Sequence, residues 1–190
     1  MKVKKVIDLC VKSGNIGIFY DEINNIQWIT DGVALYPLEG IPHLDAGYIC
    51  ALYDINDKKV LKTKFRMYSE MPKGVNLSDS IENESPADIS NVIICADGYS
   101  YVPVITEQGQ LFIDNKYLVP ISDKKMAELQ FYLRFDSSNR PMIAIKEGFM
   151  LIAQIYTIQI SEHFVDRLKK LYKASELTLN NNLYGNGTET

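Results

Sequence analysis

The sequence predicts an α+β fold, made of duplicated antiparallel-sheet units with helices on one face. Three observations lead there. The stretch Gln27–Leu38, QWITDGVALYPL, reads as strand, turn and strand. Trp28 and Ile29 favour a strand, Asp31-Gly32 suits a tight turn, and an apolar run follows from Val33. The same arrangement returns 66 residues later at Ile93–Val104, IICADGYSYVPV, where Asp97, Gly98 and Pro103 stand for Asp31, Gly32 and Pro37. Lastly, helix and strand signals do not alternate at the regular spacing of βαβ units.

At that offset, and without a gap, Leu52 meets Leu118, Ile55 meets Ile121, Asp57-Lys58-Lys59 meets Asp123-Lys124-Lys125, and Phe65 meets Phe131. Nine of the 35 positions from Asp31 to Phe65 match, where ordinary residue frequencies give roughly two. The repeat divides the chain into a first unit at 1–70, an acidic loop or linker at 71–88, a second unit with a C-terminal helix at 89–175, and a flexible tail at 176–190.

The elements follow in order. Val3, Val6, Ile7 and Cys10 have the spacing of one helix face, with Lys5, Asp8 and Lys12 on the other, so Lys2–Ser13 is a helix that Gly14 stops. Ile16–Tyr20, Ile26–Thr30 and Val33–Leu38 read as strands. Pro42 opens a second helix with Leu44, Tyr48, Ala51, Leu52 and Ile55 on one face. Val60–Tyr68 mixes Lys and Arg with apolar residues, as a half-exposed strand does. Met71–Asp88, with two prolines and the acids Asp79, Glu82, Glu84 and Asp88, is a surface loop or linker.

Ile89–Cys95, Tyr99–Ile105 and Gln110–Ile113 are the next strands, and a short helix fits Asn115–Ile121. In Glu128–Asp136, Leu129, Phe131, Leu133 and Phe135 face one way, with Gln130, Tyr132 and Arg134 facing the other. Met142–Lys146 turns at Glu147-Gly148 into Phe149–Ile160. Ser161 caps a last helix, Glu162–Ser175, whose apolar stripe is Phe164, Leu168, Leu171 and Tyr172.

The totals bound the chemistry. The 190 residues are 46% hydrophobic and 23% charged, with a net charge of −4, which argues against a generally basic, histone-like binder. A local basic face can still bind phosphates. Cys10, Cys50 and Cys95 are far apart, form no CxxC, and sit in apolar runs. Buried free thiols and no disulfide are expected. No long apolar stretch follows the basic N-terminus, so neither a signal peptide nor a membrane span is expected, and the protein is expected in the cytoplasm.

His43 and His163 are the whole imidazole supply, and neither neighbours a cysteine or another histidine at ligand spacing. No GxSxG, Walker loop or GxGxxG occurs, and Gly14 and Gly17 in SGNIG make no phosphate cradle. The residues therefore point to a non-enzyme with no metal and no cofactor.

WITDGVALYPL and IICADGYSYVPV resemble the strand–turn–strand of bacterial DNA sliding clamps, the polymerase III β subunit family. FIDNKYLVPI, LQFYLRF, PMIAIKEG and MLIAQIYTI, within Leu111–Ile160, are similar to the elements of a clamp half. The resemblance implies a clamp-like fold of duplicated units and a non-catalytic DNA-tethering or processivity role in replication. It implies double-stranded DNA as partner, with helix lysines meeting the phosphates. Here these would be Lys4, Lys5 and Lys12 on the first helix; Lys116, Lys124 and Lys125 at and after the third; and Arg167, Lys169, Lys170 and Lys173 on the last. It also leaves room for a homo-oligomer. The alternative is a clamp-fold module that binds a protein partner and never encircles DNA.

Overall fold

The first helix, α1 (Val3–Ser13), takes its place because one side is apolar. Val6, Ile7 and Cys10 are buried, and Gly14 closes the helix in the left-handed conformation at φ 75°, its N–H reaching the carbonyls of Cys10 and Val11. Burying the side chains of Val6 and Ile7 contributes about 1.5–3 kcal/mol each. The computed structural model describes residues 2–22, 24–41, 43–55, 57–68 and 74–180.

Eleven strands follow among the described residues: β1 (Asn15–Asp21), β2 (Ile26–Thr30), β3 (Ala34–Pro37), β4 (Lys64–Tyr68), β5 (Ser85–Ile89), β6 (Ile94–Ala96), β7 (Tyr99–Thr106), β8 (Gly109–Asp114), β9 (Leu129–Phe135), β10 (Pro141–Glu147) and β11 (Met150–Tyr156). They form one sheet in the order β4-β1-β2-β3-β11-β10-β9-β5-β7-β6, with β8 beside β7. Every pairing is antiparallel except β1 with β4. The fold is thus α+β, with a large, mostly antiparallel sheet and few helices. No helix of the described residues is long and apolar enough to cross a membrane.

Strand alternation gives the sheet two faces. Ile16, Ile18, Ile29, Tyr36, Ile143 and Ile155 share a core with α1, with Ile49 of α2 (Ala46–Leu52), and with two 3-10 turns, Asn115–Tyr117 and Val119–Ile121. Phe19, Trp28, Leu35, Ala144 and Leu151 line the other face, where Val75 and Leu77 cover them. Helical elements therefore pack on the first face, and the irregular segment 74–84 straps the second.

Both Asp-Gly pairs join neighbouring antiparallel strands, β2 to β3 and β6 to β7. Their turns differ. Asp97 (φ 52°) and Gly98 (φ 81°) form a two-residue turn between Ala96 and Tyr99, the backbone of a type I′ hairpin. Asp31 is buried, and four residues separate Thr30 from its partner Leu35. The wider repeat also sits in different pairings. Phe65 lies on β4, parallel to β1, whereas Phe131 lies on β9 between antiparallel neighbours.

Several local expectations change. On α2 the buried residue is Ile49, while Tyr48 and Leu52 are exposed; Asp45 caps the helix through the Tyr48 N–H and sets that phase, and Pro42 lies outside the described residues. Asp57–Val60 is a helical turn, α3, so β4 starts only at Lys64. The expected loop 71–88 ends early, because Ser85–Ile89 pairs with β7 and β9; residues 71–73 lie outside the described residues. Phe149 stands at the tip of the β10–β11 turn, 92% exposed, rather than in a strand. Of the thiols only Cys10 is buried; Cys50 is half-buried and Cys95 exposed, since β6 pairs on one side only.

The chain forms two compact units, 1–158 and 159–190. In the second, α4 (Glu162–Asn180) starts where the Ser161 hydroxyl accepts from the Phe164 N–H, and it runs five residues beyond Ser175. Leu171 and Tyr172 of the expected apolar stripe are exposed. Residues 181–190 lie outside the described residues.

Candidate nucleic-acid interface

The polar side of α1 carries Lys5, Asp8 and Lys12, three and seven residues apart and so on one helix face. Across from it stand the two 3-10 turns. The first begins where the Asp114 carboxylate accepts from the Lys116 N–H at 3.2 Å. The second is held to α1 directly. The Lys2 N–H donates to the Pro120 carbonyl at 2.9 Å, and Lys5 Nζ donates to the Ser122 hydroxyl at 2.8 Å and the Val119 carbonyl at 3.3 Å.

Helix and turns enclose a cleft of about 300 Å³, lined by Lys5, Lys12, Lys116, Asp8, Asp31 and Ser13 among others. Three of the lysines expected to meet phosphate thus come together. They stand with the carboxylates of Asp8 and Asp31 in the lining, and with Asp114 at 3.2 Å from Lys116 Nζ, in a chain of net charge −4.

Asp31 belongs to the cleft lining and to the core at once. Its Oδ1 accepts from the Val33 and Ala34 N–H groups at 2.9 and 3.1 Å, and its Oδ2 accepts from the Tyr117 hydroxyl at 3.0 Å. The Tyr36 hydroxyl in turn donates to the Tyr117 carbonyl at 2.7 Å. Burial, then the Asp31 charge, push the Tyr117 hydroxyl well above the ordinary phenol range, and the Asp31 hydrogen bond acts the same way. Tyr36 shifts in the same direction for the same first two reasons. The turn that organises β2 and β3 is therefore tied to the 3-10 turn that presents Lys116.

The other expected residues are placed otherwise. Lys4 is exposed on α1 but does not line the cleft. Lys124 pairs with Glu147 at 2.7 Å and Lys125 with Glu128 at 3.1 Å. Lys116 keeps Asp114 at 3.2 Å and lies 4.8 Å from the Tyr117 ring centre. Arg167, Lys169, Lys170 and Lys173 are exposed on α4 in the second unit. His43 packs on Tyr20, with ring centres 4.3 Å apart. No three His, Cys, Asp or Glu side chains among the described residues are grouped to hold a metal ion.

On the opposite face of the sheet lies a charged cluster that alternation alone does not reveal. Arg134, read from the sequence as facing away from Leu129, Phe131, Leu133 and Phe135, is fully buried. Its guanidinium donates to Glu84 at 2.9 and 2.6 Å and to the carbonyls of Ser78 and Asp79 at 2.9 and 3.1 Å. Lys146, 5% exposed, also pairs with Glu84 and lies over the Tyr132 ring at 4.3 Å. One carboxylate thus serves two buried cations and anchors segment 74–84.

No protein-family model matches the chain, and neither a curated protein nor a solved structure matches it.

Proposed function

We propose that this chain is a non-catalytic, clamp-like DNA-tethering or processivity factor whose α1 cleft meets the phosphate backbone of double-stranded DNA. The observation that carries the reading is the convergence of Lys5, Lys12 and Lys116 on one cleft. Ammonium groups on a helix face bind phosphates without reading sequence, since base edges and not phosphates carry that information. The two Asp-Gly hairpins are read as descendants of one duplicated unit, as the clamp resemblance implies. The lysines of α4 supply a second set of phosphate contacts, and self-association would let such contacts surround the duplex.

The test is a DNA-binding titration at several salt concentrations. Lys5 is held by Ser122 and Val119, so the informative variant is Lys12→Ala with Lys116→Ala. Each lost phosphate contact should lower the slope of log affinity against log salt by about 0.9, so this variant should lose close to two. Affinity should fall by a similar factor on unrelated DNA sequences. Lys169→Ala with Lys173→Ala tests α4 separately. No binding by the wild type at low salt would reject the reading, and an unchanged slope in the first variant would reject the α1 cleft.

A protein-binding module is the second reading, favoured by the exposed Tyr48 and Leu52 on α2 and by Phe149. It predicts no DNA affinity at low salt, with binding energy concentrated in such apolar anchors.

A further inference from the structure

The sheet ends on β4, the strand KFRMY, which pairs with β1 on one side only. Its register runs from Asn15–Lys64 to Phe19–Tyr68 without a shift. The Lys64 N–H donates inward, to the Gly14 carbonyl at 2.9 Å. Backbone groups of successive strand residues point to opposite edges, so those of Phe65 and Met67 point outward. Among the described residues no strand takes them up.

An edge of this kind is commonly closed by a proline or a bulge, and β4 has neither. What it carries is positive charge. Lys64 and Arg66 share one face of the strand with Tyr68, which stacks on Phe19 with ring centres 4.6 Å apart. Lys58 and Lys62 lie just before the strand. All four cations are exposed, and none forms an ion pair among the described residues. Two copies of such an edge repel each other, whereas a strand bearing acids gains at each pair.

We propose that the outer edge of β4 takes an extended segment of a partner protein as an added strand, with acids at alternate positions beside Lys64 and Arg66. The residues between those acids are apolar and lie beside Phe65 and Met67. Backbone bonds give the affinity and alternate side chains the selectivity. A peptide fits this edge better than a phosphate, because the outward carbonyls need donors and a phosphate supplies only acceptors. The proposal rests on β4 and not on the α1 cleft, so the DNA titration and the test below can fail separately.

The probe is a fluorescein-labelled peptide of alternating glutamate and valine, EVEVEVE-amide, followed by fluorescence anisotropy. It should bind saturably, and the lysine analogue KVKVKVK should not. Lys64→Ala with Arg66→Ala should weaken binding roughly tenfold, the factor for two exposed ion pairs. Met67→Pro removes an outward N–H that β1 does not use, and should abolish binding. Circular dichroism checks that both variants are folded. Methylating the peptide backbone needs no variant: methyl groups on the valine amides should block an antiparallel partner, and on the glutamate amides a parallel one. No saturable binding, equal binding of KVKVKVK, unchanged affinity in either folded variant, or full binding by both methylated peptides would overturn the proposal. Displacement of the probe by short duplex DNA at lower concentration than by unlabelled peptide would put phosphate on the edge and overturn it. A dimer in sedimentation that Met67→Pro dissociates would assign the edge to a second copy and overturn it too.

Discussion

Replacing Glu84 by Gln removes the carboxylate that Arg134 and Lys146 share. Both cations are then left under segment 74–84, Arg134 with no exposed surface and Lys146 with 5%. Breaking a buried ion pair from one side costs about 3–5 kcal/mol, because the surviving charge has lost its partner but not its desolvation. The carbonyls of Ser78 and Asp79 still accept from Arg134, which favours the lower half of that range. With a urea m-value of about 2 kcal/mol/M the midpoint should fall by roughly 2 M, and the melting temperature by roughly 10 °C. The cost should also depend on pH. Burial by itself raises the Glu84 pKa, but the hydrogen bonds from Lys146 and Arg134 outweigh it and hold the carboxyl below its ordinary value. A carboxyl lowered in the folded state stabilises above its unfolded pKa of about 4.3 and loses that contribution as pH falls through the folded value. The difference between wild type and Glu84→Gln should therefore be full at pH 7 and shrink below about pH 4. Changing Glu84 to Leu together with Arg134 and Lys146 to Met should recover most of the loss, since no buried charge remains. Urea unfolding at pH 7 that puts Glu84→Gln within about 1 kcal/mol of wild type would refute the account, because that is the worth of an exposed pair.

Tyr117→Phe leaves the buried Asp31 with its two backbone donors but without the hydroxyl, and should cost about 1.5–3 kcal/mol, the worth of a hydrogen bond to a charged group. Tyr117 and Tyr36 have raised pKa values, so the stability they supply is intact below the unfolded tyrosine value of about 10 and is lost above it; in an ultraviolet titration two of the twelve tyrosines should ionise only as the protein unfolds. A thiol reagent should modify Cys95 at once, Cys50 more slowly, and Cys10 only on unfolding, since burial pushes the Cys10 thiol up and closes access.

What the sequence determined by itself was local. The 3.6-residue spacing of Val6, Ile7 and Cys10 and the stop at Gly14 placed α1, and two-residue alternation placed β9, because a side chain's direction within one element depends only on neighbours along the chain. The Asp-Gly pairs marked both hairpins for the same reason. Lys5, Asp8 and Lys12 were legible as one helix face, but the cleft was not. It needed Lys116 and Asp31, which tertiary contacts such as Lys2–Pro120, Lys5–Ser122 and Asp31–Tyr117 bring to α1. Tertiary structure alone decided strand order: β3 pairs with β11, so the first and last strands of the sheet's middle meet across more than a hundred residues. It also decided what covers the second face. Gln130, Tyr132 and Arg134 share that direction, yet only Arg134 is fully buried, because segment 74–84 lies over it and Glu84 supplies the opposite charge. Alternation tells which way a residue points, and what it points at depends on chain brought back from elsewhere.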